Sequence, residues 1–202
     1  MDFSEINWNH LVRINKCMKN YTAQHIESFM NQYEKHISHV LVAHTKLHTY
    51  NKSRHQIQAM TEQAKKDCRY ALNSFYKLLY PNATNKPVRN PWMFKPLTLV
   101  TIEGAKETTD KAQTIHFNIS LGKLPNALST TDIETLFKHA WHEKAGQSQD
   151  VKAYAYTKAQ GKQGWIGYTL KEAQQAKTKA WATDGIWDVQ NCWIPFAALN
   201  AD

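Results

Sequence analysis

Residues 114–121 read T-I-H-F-N-I-S-L, and this stretch decides the fold. Apolar and polar side chains alternate along it without a break, which is the period-two pattern of a β-strand with one buried face. The apolar face supplies core, and the other face directs His116 and Asn118 to the same side of the predicted sheet. An imidazole and a carboxamide can each bind a metal ion or a phosphate. The surrounding elements must therefore decide what these two side chains do.

The composition favours a polyanionic partner. The 202-residue chain carries 25 Lys and Arg against 17 Asp and Glu, a net charge of +8. Neutralising phosphates releases condensed counterions, so we expect this surplus to favour nucleic acid. The seven Trp and nine Tyr residues offer rings that can stack on unpaired bases.

The same survey bears on location. No apolar run approaches the roughly 20 residues of a membrane span. The N-terminus lacks the basic-then-apolar pattern of a signal peptide. The three cysteines are far apart and form no C-x-x-C pair or even-numbered disulfide framework. We therefore expect a cytoplasmic protein with no membrane partner.

Hydrophobic periodicity predicts the other elements. Strands are predicted at residues 38–44, 97–103, 150–157 and, as a final edge strand, 187–195. Helices are predicted at residues 5–19, 22–35, 54–80 and 165–176, with a further helix after a capping box formed by Thr131 and Glu134. Residues 81–96 contain four prolines and predict a long loop.

The order of these elements predicts an α+β fold. From residue 38 the order is βαββαβ, a ferredoxin-like or RRM-like antiparallel sheet with helices mainly on one face. Residues 1–36 are predicted to form an N-terminal helical extension that offers a surface to a protein partner, and residues 37–202 the core domain. Sheets of this kind host many functions, so the fold alone does not decide the activity.

Three short pieces of sequence place polar residues on these elements. T-I-E-G ends one strand with Glu103, and I-H-F-N-I-S-L-G-K-L-P carries His116 and Asn118 on the next. G-W-I-G-Y-T-L-K-E places Tyr168 and Lys171 on one face of a helix. In this order the pieces resemble the HUH single-strand endonucleases, and more narrowly the replication-initiator (Rep) proteins of rolling-circle plasmids and phages. The resemblance covers about residues 38–175.

The resemblance implies a metal-dependent nuclease that nicks and joins single-stranded or hairpin DNA. In that family two histidines and a third polar residue hold one divalent cation, usually Mg²⁺ or Mn²⁺. A tyrosine attacks the phosphodiester and stays joined to the 5′ phosphate. Carried over to this chain, the metal ligands are Glu103, His116 and Asn118, the nucleophile is Tyr168 and its electrostatic helper is Lys171. A phenol with a pKa of about 10 needs such a cation nearby to react as phenolate at neutral pH.

Asn118 stands where the family has its second histidine. Its carbonyl oxygen suits Mg²⁺ or Mn²⁺ but binds more weakly than an imidazole. Three interpretations stay open at this point. The site cleaves DNA with an asparagine ligand, or the chain is a catalytically degenerate Rep-like fold, or the similarity is accidental. A degenerate fold would act as a DNA-binding or partner-binding regulator of a phage, plasmid or mobile element.

The remaining candidates are basic and aromatic side chains outside the metal strand. Cations neutralise phosphates and aromatic rings stack on bases, so we expect these residues to contact nucleic acid. They are Lys86, Arg89, Trp92, Lys95, Lys162 and Trp165.

Overall fold

A four-stranded antiparallel sheet organises the part of the chain described by the computed structural model, residues 23–157, 164–172 and 187–195. Its strands are β1 (His39–His48), β2 (Leu97–Glu103), β3 (Thr114–Gly122) and β4 (Val151–Ala155). They lie in the order β2-β3-β1-β4, and every neighbouring pair is antiparallel. The stretch at residues 114–121 is therefore an interior strand. The strand predicted at residues 38–44 starts one residue later and runs on to His48, and β4 is shorter at both ends than predicted.

The described helices surround this sheet. They are α1 (Ala23–Asn31), α2 (Arg54–Leu78), α3 (Lys86–Arg89), α4 (Pro91–Phe94), α5 (Thr130–Lys138) and α6 (Gly164–Thr169). A π-helical segment, His139–Lys144, continues α5, and single 3₁₀ turns occupy Glu34–His36 and Val189–Asn191. The fold is thus α+β with an antiparallel sheet, as predicted. No helix in the described ranges combines the length and apolar character needed to cross a membrane.

The hydrophobic core lies between α2, α5 and one face of the sheet. Phe75 of α2 packs edge-on against Phe137 of α5, with ring centroids 5.4 Å apart, and Phe117 of β3 meets Trp141 at 5.6 Å. All four side chains are fully buried. Burial of one such aromatic side chain stabilises the folded state by roughly 1.5–3 kcal/mol. This layer therefore covers one face of the sheet and leaves the polar residues of β3 on the other face.

Helix α1 belongs to the same core. Ile26 and Met30 are fully buried, and the Phe29 ring lies 5.2 Å from the ring of Trp187. The helix predicted at residues 5–19 lies outside the described residues, so the proposed boundary at residue 36 stays a prediction.

The predicted loop at residues 81–96 and the predicted cap of α5 were both wrong. Residues 81–96 do not form a plain loop, because Pro87 and Pro91 stand in the first turns of α3 and α4. A proline there has no intrahelical hydrogen bond to lose. Helix α5 is capped by Ser129 and Asp132 instead of Thr131 and Glu134. The Glu134 carboxylate instead accepts a hydrogen bond from the backbone of Ala153 at 2.8 Å.

The C-terminal predictions are confirmed in part. Residues 187–195 lie along β2, but they form only two isolated bridges, Trp187 with Thr101 and Trp193 with Thr98. The turn Val189–Asn191 separates these bridges and prevents a continuous edge strand. The helix predicted at residues 165–176 begins one residue earlier as α6 and ends at Thr169, before a turn at Leu170. Residues 173–176 lie outside the described residues.

Candidate active site

Strand register brings polar side chains together on the sheet face opposite the core. His116 of β3 lies between Glu103 of β2 and His44 of β1, and one rung further on Asn118 pairs with Thr101. Side chains at alternate positions of a strand share a face, so Asn118 and His116 point the same way. The predicted neighbours Glu103, His116 and Asn118 are thus adjacent, and His44 joins them from a strand that sequence reasoning did not connect to the site.

The Glu103 carboxylate is the centre of this group. It is only 1% exposed. Its Oε2 atom lies 2.9 Å from His116 Nε2 and 3.2 Å from Lys171 Nζ. Its Oε1 atom is also buried and makes no hydrogen bond to any residue that the structure describes. A buried carboxylate is costly unless it is paired, and here the two potential cations engage one oxygen and leave the other open.

The Asn118 carboxamide is buried without a partner among the described residues. The residue is 2% exposed, and neither Oδ1 nor Nδ2 makes a hydrogen bond within that part of the chain. Leaving a buried polar group unpaired costs about 1–3 kcal/mol. Asn118 is a diagonal neighbour of Glu103 across the β2–β3 ladder, a relation that separates two residues by about 7–8 Å. Two unpartnered oxygens therefore lie on the same small area of the sheet.

His44 holds the His116 ring from the other side. The two rings stack with centroids 4.7 Å apart and an angle of 23° between their planes. Thr114 contacts both imidazoles, through its hydroxyl to His44 Nδ1 at 3.1 Å and through its carbonyl to His116 Nδ1 at 3.4 Å. Burial, and next the nearby His116, lower the pKa of His44 despite the opposing effect of Asp150, whose carboxylate lies 3.8 Å away. The lowered pKa favours the neutral form of His44, and its ring covers one face of the His116 ring.

Helix α6 carries Tyr168, and Lys171, two residues past the end of the helix, lies against both the Tyr168 ring and the Glu103 carboxylate. The Lys171 Nζ atom lies 3.9 Å from the centroid of the Tyr168 ring. Partial burial acts to lower the pKa of Lys171, but hydrogen bonding to Tyr168 and the Glu103 carboxylate outweigh it and leave the pKa raised. Lys171 therefore stays an ammonium ion at neutral pH, between the buried carboxylate and a tyrosine that is 48% exposed.

Both ends of α6 are attached to the sheet. Trp165 donates a hydrogen bond from Nε1 to Ser120 Oγ at 3.1 Å and stacks on Tyr168 at 5.9 Å. Just past the helix, Glu172 accepts a hydrogen bond from the backbone N–H of Gly104 at 2.9 Å and pairs with Lys106 at 2.7 Å. These contacts determine where the tyrosine lies relative to Glu103, and nothing in the sequence pattern indicated them.

The donors present fit a hard divalent cation. A carboxylate oxygen and an amide oxygen suit Mg²⁺ or Mn²⁺, and an imidazole nitrogen is an acceptable third ligand for Mn²⁺. Among the described residues no group of three His, Cys, Asp or Glu side chains is arranged to hold a metal. Asn118 is outside those residue types. The fit therefore depends on Glu103, His116 and Asn118 acting together, with the two unpartnered oxygens as its main support.

The predicted nucleic-acid contacts fall in different places. Lys86, Arg89 and Trp92 are exposed on α3 and α4, near the end of β2 that is remote from Glu103. Lys95 is half-buried, with its ammonium 4.4 Å from the Trp193 ring centroid, and burial lowers its pKa to about 8. Its charge is thus directed at an aromatic ring.

Two more residues of that set remain. Trp165 lies at the site itself, on the ring of Tyr168. Lys162 lies outside the described residues.

Comparison with known proteins found no match. No protein-family model matches the chain, and no curated protein sequence or solved structure with which it was compared does either.

Proposed function

We propose that this chain nicks and rejoins single-stranded DNA with Tyr168 as the nucleophile and one Mg²⁺ or Mn²⁺ ion as cofactor. The observation that carries the proposal is the buried Glu103 carboxylate. One of its oxygens contacts both His116 and Lys171, and the other, like the nearby Asn118 amide, makes no hydrogen bond within the described part of the chain. Such an arrangement is incomplete without a cation, and the likeness to Rep proteins predicts which cation it is.

The topology supports the same proposal. Helix α2 connects β1 to β2 and helix α5 connects β3 to β4, in a sheet ordered β2-β3-β1-β4. This is the connectivity expected for the βαββαβ plan. Within it, the candidate ligands lie on two adjacent strands and Tyr168 on the helix that follows β4, in the order that the resemblance requires.

The chemistry follows from the side chains. The Tyr168 oxygen attacks phosphorus, the bond from phosphorus to the 3′ oxygen breaks, and the 5′ phosphate remains on the tyrosine. The phenolic proton is lost on attack, and the departing 3′ oxygen ends as a hydroxyl. Lys171 stays charged and stabilises the phenolate, so it acts by electrostatics and does not serve as a base. A divalent cation bound to Glu103, His116 and Asn118 would polarise the phosphate.

A covalent adduct is the direct test. The full-length protein is incubated with Mn²⁺ and a panel of labelled single-stranded and hairpin oligonucleotides, and DNA that remains attached to protein is measured on a denaturing gel. We expect an adduct that is absent in Tyr168→Phe. The matched control is Tyr70→Phe, because Tyr70 is 56% exposed but lies on α2. An adduct that survives in Tyr168→Phe, or no adduct with any DNA of the panel, would refute the proposal.

Asn118 favours a second candidate function. An amide in place of the family's second histidine weakens metal binding, which suits a degenerate Rep-like regulator that binds DNA or a protein without cutting. That function predicts strongly salt-dependent DNA binding with no metal requirement. His116→Ala separates the two: it abolishes the adduct of a nuclease but leaves the binding of a regulator unchanged.

A further inference from the structure

Exposed apolar side chains are concentrated at α3 and α4. Of the six large hydrophobic residues that are exposed among the described residues, three lie within residues 88–93. Val88 is 68% exposed, Met93 73% and Trp92 49%. Large apolar side chains displayed in a group usually mark a binding surface. Val88 and Met93, the two most exposed, are called the tip below.

The tip stands on a rigid base. Phe94 packs edge-on against Tyr80 at 5.3 Å and lies under the Lys86 ammonium at 4.8 Å. Pro87 is buried, and the Trp92 ring contacts Trp193 at 5.0 Å. These contacts hold the segment on both sides, and Val88 and Met93 are the apolar residues of it that stay most exposed.

The charge around the tip selects a polyanion. Residues 77–102 contain no Asp or Glu but four Lys or Arg residues. Of these, Lys86 and Arg89 are exposed beside the tip. An acidic protein would match the charge as well. However, a stable protein interface needs about 800 Å² on each partner, whereas the exposed apolar side chains here are confined to two single-turn helices. DNA is also the partner in the proposed function, and exposed apolar side chains beside cations suit entry into a base step.

We propose that Val88 and Met93 form a wedge that inserts at the junction between double-stranded and single-stranded DNA. Apolar side chains, methionine among them, are known to enter base steps and unstack them. Unstacking is least costly where a base is already unpaired, so a fork is the favoured site. Lys86 and Arg89 would hold the phosphates on either side.

The position of the wedge agrees with the rest of the molecule. It adjoins the start of β2, and Glu103 is at the end of β2, six residues further on. At about 3.3 Å per residue, the start of β2 lies about 20 Å from Glu103. A duplex end held at the wedge would leave several unpaired nucleotides to reach Tyr168. The inference rests on the proposed function only in taking DNA as the partner.

The test compares three DNAs. The full-length protein is titrated, without added metal, with a single-stranded oligonucleotide, a blunt duplex and a forked duplex that carries 2-aminopurine at its first pair. We expect the tightest binding to the fork and a rise in 2-aminopurine fluorescence. The double variant Val88→Ser/Met93→Ser should bind the fork about tenfold more weakly, the scale of one lost stacking contact. It should also lose the fluorescence rise but keep its affinity for the single strand.

The control is Tyr70→Ser, which removes another exposed large side chain from a different element and should bind all three DNAs like the wild type. Both changes are at the surface, so equal melting temperatures will verify folding. The wedge proposal would be wrong if the wild type showed no preference for the fork. It would also be wrong if the double variant bound the fork as tightly as the wild type. Competition by polyglutamate that depends on the tip would instead assign this surface to an acidic protein. Adduct formation on single-stranded DNA reports on Tyr168 separately, so either proposal can fail alone.

Discussion

The buried carboxyl group of Asp188 should make stability fall as pH rises. Asp188 is 1% exposed in the turn that follows Trp187. Burial raises its pKa to about 6, although Lys65, a hydrogen bond from Asn191 and Arg69 act in the opposite direction. In the unfolded chain the same group has its ordinary pKa of 3.8. Between these two values the native state retains a proton that the unfolded state has lost.

The sign and size follow from that difference. Stability is complete below the unfolded pKa and is lost as pH rises through the folded pKa, because the native state must then hold a charge in an apolar place. A difference of about two pKa units, at 1.36 kcal/mol each, gives a loss of about 3 kcal/mol. The substitution Asp188→Asn removes this dependence while keeping a side chain of nearly the same shape.

Urea unfolding of both proteins from about pH 4 to about pH 7.5 measures the effect. The free energy of unfolding of Asp188→Asn minus that of the wild type should increase by about 2–3 kcal/mol across this range. Asn191→Ala is the control, because it disturbs the same turn but keeps the carboxyl group and must keep the fall with pH. A free energy of unfolding that changes with pH in the same way in the wild type and in Asp188→Asn would refute the argument.

Three further predictions concern other residues. Gly104→Ala should lower the free energy of unfolding by at least about 2 kcal/mol in urea, because the backbone has φ +76° and a Cβ atom would lie 2.1 Å from the Thr114 carbonyl oxygen. Burial lowers the pKa of Lys95 to about 8, so the folded protein loses this proton at a lower pH than the unfolded chain does. The free energy of unfolding of the wild type should therefore rise as pH increases above about 8, and Lys95→Met should remove that rise. Urea unfolding at alkaline pH measures the difference. His44→Ala should slow adduct formation about tenfold in a single-turnover assay. His44→Phe keeps a ring that can stack on His116 and should retain most of the rate. Equal rates for both variants would show that the stacked ring is dispensable.

Sequence patterns predicted the parts of this fold that depend on neighbouring residues. The alternation at residues 114–121 and the three- and four-residue spacing in α2 are local, and both elements were recovered. The hairpin between β2 and β3 was equally predictable, and antiparallel pairing across it puts Glu103 beside His116. The three-residue spacing of Tyr168 and Lys171 predicted that they lie side by side, and they do, although α6 ends at Thr169 between them.

The features that escaped prediction depend on contacts between distant parts of the chain. His44 bonds to Thr114, which lies 70 residues further along. The burial of Lys95 requires Trp193, and no periodicity connects those two positions. Proline statistics favoured a loop at residues 81–96 because the same residue that interrupts a helix also begins one. The unpartnered amide of Asn118 is a property of its three-dimensional surroundings and has no signature in the sequence.

The attachment of Glu172 determines which part of the chain can vary in length. The Glu172 carboxylate accepts a hydrogen bond from the backbone of Gly104 and forms an ion pair with Lys106. Gly104 directly follows Glu103 in the chain. The buried carboxylate and the anchor of the helix that carries Tyr168 therefore share one short piece of backbone. Their spacing depends on a few covalent bonds and one ion pair. Loops of different length could replace residues 109–112, at the far end of the hairpin, without shifting the tyrosine, so this is where an inserted tag or a binding module would be tolerated.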